Sequence, residues 1–146
     1  MVHALEESHR LLRPDGCLID IHPFTDEQYI EVHQGKAVTF TEAIPAFSSE
    51  AIRDAEEALA QVVARHLFRV ERARSFDLLT CASSVPELYA YYEEANAFDN
   101  SPSDEAFALW AAQLAPAVEE ALRAAGDGAE VAYHERAHIA RLVPIR

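Results

Sequence analysis

Along the chain, stretches with apolar residues at helical spacing are followed by stretches with apolar residues at strand spacing. The first apolar face has the spacing of a short helix and consists of Val2, Leu5, His9 and Leu12. The turn at residues 13–16 ends this helix, because proline cannot continue it and Asp-Gly favours a turn. An apolar run at residues 17–21 follows and is typical of a strand that is covered on both faces. This succession predicts an α/β fold.

The remainder of the chain continues the alternation. Strand-like runs at residues 28–32 and 37–41, with Gly35 between them, predict a β-hairpin over one end of the sheet. Further strands are expected at residues 76–81, extended backwards through Val70, and at residues 131–143. Helical periodicity recurs in three stretches, which are residues 52–66, the residues that follow Ser84, and residues 103–125. We therefore expect one domain over residues 1–146, with a small mixed sheet of three to five strands and four helices packed on it.

One segment of the chain resembles a known protein family. Residues 4–23, ALEESHRLLRPDGCLIDIHP, are similar to the part of class I S-adenosylmethionine-dependent methyltransferases that leads into their fifth strand. In that family a helix ends in a basic-Leu-Lys/Arg-Pro-Gly-Gly turn, and here the turn reads RLLRPDG with Asp15 in place of the first glycine. The resemblance implies the C-terminal half of a Rossmann-like methyltransferase. It also implies that the strand at residues 131–143 lies between the strands at 18–21 and 76–81.

The same resemblance bears on the cofactor. In the family, S-adenosylmethionine binds a Gly-rich loop after the first strand and an acidic residue after the second, and this sequence begins beyond both. Its four glycines form no phosphate-binding or cofactor loop. The resemblance therefore implies a truncated or split methyltransferase-like protein that is not catalytic alone and holds no cofactor by itself. The alternative is half of a methyltransferase that another chain completes, which would bring S-adenosylmethionine with it.

A methyltransferase half-fold would leave one edge of the strand at residues 18–21 without a neighbour. An exposed apolar strand edge is a template for pairing with another chain. We therefore expect a homodimer, or a second chain that covers this edge.

Composition narrows the classes of partner. The formal net charge is −13, from 25 acidic against 12 basic residues, which argues against nucleic acid and anionic membranes as partners. No apolar run approaches the roughly 20 residues that a membrane span requires. A cytoplasmic location is the expectation.

Asp20 and His22 are the first candidates for chemistry. They lie at the C-terminal end of the first predicted strand, where open α/β sheets place ligand contacts. By the resemblance, this end faces the pocket of the methyl acceptor, and either side chain could act as a base, with histidine the better suited near neutral pH. The alternative is a polar strand end with a solvated histidine.

Aromatic residues form a second candidate site. Tyr89, Tyr92 and Trp110 lie on two consecutive predicted helices and could line a pocket for a flat apolar ligand, as in a small-molecule binding module. Aromatic residues at helical spacing also form protein cores or dimer faces, so that alternative stays open.

His134, Glu135 and His138 match the HExxH pattern of zinc hydrolases. That chemistry requires a helix, because only one helical turn brings the two histidines together on a single zinc ion. The segment alternates like a strand, in which residues four apart are roughly 13 Å apart along the chain. We therefore reject a metal site here and expect two histidines on one face of a strand.

Overall fold

The computed structural model describes the backbone of residues 1–44, 50–96 and 103–146, and the side chains of these residues except 25–27, 50–51, 95–96 and 103–111. In this part of the chain the elements are α1 (Val2–Leu11), β1 (Leu18–Gln34), β2 (Ala37–Ala43), α2 (Glu50–Ala64), β3 (Phe68–Ala82), α3 (Val85–Asn96), α4 (Ser103–Ala125) and β4 (Ala129–Pro144). The predicted α/β class and the four helices are confirmed. No helix within the described residues has the length and apolarity that crossing a membrane requires.

The four strands form one sheet in the order β2-β1-β4-β3. The last strand therefore lies between the first and the third, as predicted. The expectation of a mixed sheet was wrong, because the sheet is antiparallel. Neighbouring strands in this order run in opposite directions, and β1 and β2 are joined by a tight hairpin.

Strand β1 is much longer than the predicted strand at residues 17–21, and it continues through Pro23 to Gln34. We expected the strand to end at residue 21, before Pro23. Proline is tolerated where its missing N–H faces the unpaired side of a strand. The hairpin itself is confirmed, with β2 paired to residues 29–34 and Gly35 at φ +60 in its turn. It extends the sheet rather than covering one of its ends.

The outer edge of β1 is only partly covered. Apart from Thr39, which falls at a shift in register, the residues of β2 pair with residues 29–34. Among the described residues, no strand pairs with the outer edge of residues 18–24. That a second chain covers this edge stays a prediction.

The chain divides into two compact units. The first unit comprises Met1–Thr25, Ser48–Asp77 and Arg136–Arg146, and the second comprises Asp26–Phe47 and Leu78–Glu135. Each unit has an apolar core of its own. The division describes packing only, so one domain over residues 1–146 stays a prediction.

The core of the first unit is built from α2 and the strands beneath it. Its buried side chains are Val62, Phe68, Ala140 and Leu142, and the apolar face of α1 packs against them. Leu18 lies on this side of β1, whereas Ile19 and Ile21 are 49% and 61% exposed. The expectation that residues 17–21 are covered on both faces was therefore wrong, since alternation along the strand turns these two isoleucines away from the core.

The core of the second unit lies between the sheet and the helices α3 and α4. Ile30, Val32 and Val131 contribute from the strands, while Leu88 and Val118 contribute from the helices. Val32 and Val131 are completely buried. The alternating apolar residues of the strands and the apolar faces of α3 and α4 thus pack into one layer.

Candidate functional site

Asp20 and His22 form a hydrogen-bonded pair on β1. Residues two apart in a strand lie on the same face, and Nδ1 of His22 donates to Oδ2 of Asp20 at 2.8 Å. Both side chains are largely buried. Because an ionised carboxylate can only accept, this hydrogen bond places a proton on Nδ1 of His22 and points Nε2 away from Asp20.

Helix α2 and strand β4 complete the surroundings of His22. Oε1 of Glu56 lies 3.5 Å from Nε2 of His22, so carboxylates flank both ring nitrogens. The ring of His138 lies 5.4 Å from the ring of His22, measured between centroids, and the ring of Phe24 contacts both. Three elements that are distant along the chain, β1, α2 and β4, therefore contribute side chains around one imidazole.

These residues line an open groove of about 470 Å³. We call it the first-unit groove, since each described residue that lines it belongs to the first unit. Its polar end carries Asp20, His22, Glu56 and His138. Its apolar walls include Leu59, Ala60, Val63, Val70, Ala140 and Leu142. A mostly apolar groove of this size with a few convergent polar groups has the character of a small-molecule site.

The arrangement suits proton transfer to or from a bound molecule. Asp20 fixes the ring orientation and tautomer of His22, which is how carboxylates orient catalytic histidines. Nε2 then faces Glu56 at the polar end of the groove. A histidine held in this way can accept a proton from a ligand that lies within hydrogen-bond reach.

A second acid-x-His pair lies further along β1, in the second unit. Nε2 of His33 donates to Oε2 of Glu31 at 2.8 Å, and Nδ1 of His134 donates to Oε1 of Glu31 at 3.1 Å. Burial acts to raise the pKa of Glu31, but the hydrogen bonds from the two histidines outweigh it and hold the pKa below its ordinary value. Glu31 is 8% exposed, so this carboxylate joins the two histidines beneath the surface.

The HExxH segment is a strand, as predicted. His134, Glu135 and His138 all lie in β4, where His134 contacts Glu31 and His138 contacts His22. Burial raises the pKa of Glu135. Among the side chains that the structure describes, no three histidine, cysteine or acidic residues are grouped as metal ligands.

The aromatic candidates belong to the second unit. Tyr92 packs edge-on against Tyr133 with the ring centroids 4.9 Å apart, and it joins the core of that unit. Burial raises the pKa of both tyrosines. Tyr89 is half-buried, and the side chain of Trp110 lies outside the described residues. A pocket lined by Tyr89, Tyr92 and Trp110 stays a prediction.

Sequence reasoning found Asp20 and His22 but missed their partners. Glu56 was not among the candidate residues, and His138 was considered as a zinc ligand and then assigned to the face of a strand. Glu31 and His33 were passed over, although they repeat the acid-x-His spacing of Asp20 and His22 on the same strand. That repeated spacing was a usable signal, whereas the contribution of Glu56 depends on where α2 packs.

Comparison of this chain with protein-family models, with curated proteins and with solved structures gives no match. The argument for function therefore depends on the geometry of the site and on the resemblance of residues 4–23.

Proposed function

We propose that this chain is a methyltransferase-like half-fold whose own contribution is the first-unit groove, in which a small methyl-accepting molecule binds beside His22. His22, oriented by Asp20, is the proton acceptor. The observation that carries the proposal is the hydrogen-bonded pair of Asp20 and His22 at the polar end of an apolar groove.

The order of the strands supports this proposal. β4 lies between β1 and β3, which is the arrangement that the resemblance of residues 4–23 implies for the C-terminal half of a class I methyltransferase. The position of the groove also supports it, because the groove opens beside Asp20 and His22, where the resemblance places the methyl acceptor.

The proposal assigns the methyl acceptor and the cofactor to different polypeptides. None of the four glycines of this sequence belongs to a cofactor loop, so S-adenosylmethionine would be bound by a second polypeptide that completes the site. The chain alone would then bind the acceptor without transferring a methyl group. A binding module without chemistry is the alternative, and the groove by itself would serve that role equally well.

The decisive experiment is a titration of the purified chain with S-adenosylmethionine by calorimetry, with the molecular mass determined in the same buffer. We expect no binding of the cofactor by the chain alone. Micromolar binding would overturn the assignment of the cofactor to a second polypeptide, because a cofactor site would then exist without the family's loop.

The groove is tested separately with a fragment screen by protein-observed NMR. We expect shift changes at Asp20, His22 and His138 for apolar fragments that carry one polar group. Ala60→Phe, on the groove side of α2, should abolish these changes by filling the groove. Ala64→Phe, at an exposed position outside the groove on the same helix, is the matched control and should leave them intact. Fragments that bind both variants equally would contradict a site in the groove.

A further inference from the structure

We infer that the ligand of the first-unit groove is an apolar molecule that carries one protonated nitrogen. This inference rests on the proposed function, because it names the class of molecule that the groove binds. It is carried by the signs of the charges at the polar end of the groove and by the apolar character of its walls.

Among the described side chains that line the groove, the polar end has two carboxylates and no lysine or arginine. Asp20 and Glu56 line it together with His22 and His138. Even with His22 charged, this set carries no excess of positive charge. A carboxylate or phosphate entering the groove would lose water and meet like charges, which is unfavourable, whereas an ammonium group would exchange water for carboxylate oxygens.

The positions of the two acids decide where such a nitrogen would lie. Asp20 is 18% exposed and is engaged by His22 through Oδ2. Glu56 is 40% exposed and lies across the ring of His22 from Asp20. Glu56 therefore provides the accessible negative charge at the polar end, and we expect the nitrogen of the ligand to bind there, next to Nε2 of His22.

One nearby cation, Arg136, would oppose the binding of a positively charged ligand. The guanidinium group of Arg136 lies 6.0 Å from the centroid of the Phe24 ring. Arg136 is exposed and is not one of the side chains that line the groove. Because an exposed charge outside the groove is screened by water, Arg136 does not reverse the preference that Asp20 and Glu56 set inside.

The apolar walls determine the size and the apolar character of the rest of the ligand. Leu59, Val63 and Leu142 line a groove of about 470 Å³, which accommodates a body of one or two rings or a short branched chain. Neutral apolar molecules would gain this burial too. The amine is therefore distinguished from them by the additional interaction with the carboxylates.

The test compares three probes that differ only in the terminal group. These are 4-phenylbutan-1-amine, 4-phenylbutan-1-ol and 4-phenylbutanoate, each titrated into the full chain by calorimetry at pH 7.5. We expect the amine to bind roughly tenfold more tightly than the alcohol, and the carboxylate to bind more weakly than both, from one favourable or unfavourable charge contact.

Glu56→Gln supplies the matched variant. It should weaken binding of the amine roughly tenfold and leave the alcohol unchanged, since only the charge is removed. Glu57→Gln makes the same change at the adjacent, exposed position of α2, outside the groove, and should leave all three affinities unchanged.

The outcomes separate this inference from the proposed function. If the alcohol or the carboxylate binds as tightly as the amine, the inference is overturned while the groove stands as a binding site. If none of the three probes binds at millimolar concentration, or if Ala60→Phe leaves binding of the amine intact, the groove is not the site and both proposals fail.

Discussion

Glu31 and Glu135 lie on strands of the same unit but in opposite electrostatic surroundings. Two histidines donate hydrogen bonds to Glu31, whereas the dominant influence on Glu135 is burial. The pKa of Glu31 is accordingly lowered and that of Glu135 raised. The same substitution, glutamate to glutamine, should therefore change the free energy of unfolding in opposite directions at the two positions.

Glu31→Gln should destabilise the protein at pH 7 by about 1–3 kcal/mol, because a glutamine cannot accept hydrogen bonds from both histidines at once. A lowered folded-state pKa gives stability that is present above the ordinary glutamate pKa and is lost as the pH falls through the folded value. The difference between wild type and variant should therefore shrink below about pH 4. Chemical denaturation at several pH values measures it. Glu42→Gln, at an exposed position of β2, is the control. An effect of equal size at pH 3 would contradict the argument.

Glu135→Gln should instead stabilise the protein at pH 7, on the order of 1 kcal/mol. A raised folded-state pKa means that stability is fully present below the ordinary glutamate pKa and is lost as the pH rises through the folded value. The advantage of the variant should therefore appear only above about pH 4. Thermal unfolding at pH 3 and pH 7 tests this, and a variant that is less stable than wild type at pH 7 would show that the carboxylate makes a favourable interaction.

At the scale of elements, helix α2 ends in an unusual way. The helix is assigned to Glu50–Ala64, and His66 follows with φ at +56, in the left-handed region that favours glycine. The N–H groups of His66 and Leu67 donate to the carbonyls of Val63 and Val62. This is the hydrogen-bond pattern of a glycine-type helix cap, formed here by a histidine at a cost in backbone energy.

His66→Gly should raise the free energy of unfolding by about 0.5–1 kcal/mol, since it relieves the left-handed backbone at an exposed position and loses no packing. Ala64→Gly, two residues earlier and still helical, should do the opposite by about 0.5–1 kcal/mol. Urea denaturation compares the two variants with wild type. If His66→Gly is destabilising, the histidine side chain contributes more than its backbone conformation costs.

His66 also shows where sequence reasoning reaches its limit. Its spacing placed it on the apolar face of the helix, because periodicity alone does not reveal a change in the sign of φ. The first strand was expected to end at residue 21, yet β1 continues through Pro23. In both cases the tertiary structure overrides a local preference.

The helices and strands were largely predictable, because the periodicity of apolar residues in the sequence matches the buried faces of these elements. The hairpin around Gly35, the long strand β3 and the central position of β4 were all expected. The candidate site was only half predictable. Asp20 and His22 share a strand, so their spacing is visible, whereas Glu56 and His138 reach them only through packing of α2 and pairing of β4.

At the scale of the whole molecule, strand β3 lies at one edge of the sheet. It is the last strand of the sheet and 15 residues long. Its middle is exposed, including the large apolar side chains Val70 and Phe76. A long exposed apolar edge is a template for strand pairing, and most proteins shorten, twist or cover such edges.

The sequence of β3 favours a second copy of this chain as the partner. If two copies pair in antiparallel fashion about the point between Arg74 and Ser75, Arg72 lies opposite Asp77 of the other copy and Ala73 lies opposite Phe76. Each opposite-charge pair across strands contributes about 0.2–1 kcal/mol, and the symmetry of the dimer makes the pair twice. Glu71 does not disturb this pattern, because it pairs with Arg141 of its own chain.

We therefore expect a dimer in solution, and charge reversal along β3 should control it. Arg72→Asp or Asp77→Arg alone would oppose like charges across the edge and shift the mass measured by analytical ultracentrifugation towards the monomer. The double variant Arg72→Asp/Asp77→Arg restores opposite charges and should restore the dimer. Tyr91→Lys, at an exposed aromatic residue on α3, is the control and should leave the mass unchanged.

A wild-type monomer, or a dimer unaffected by either single reversal, would mean that the edge of β3 is not the interface. Rescue by the double variant would also fix the register, because only pairing about this point brings positions 72 and 77 together.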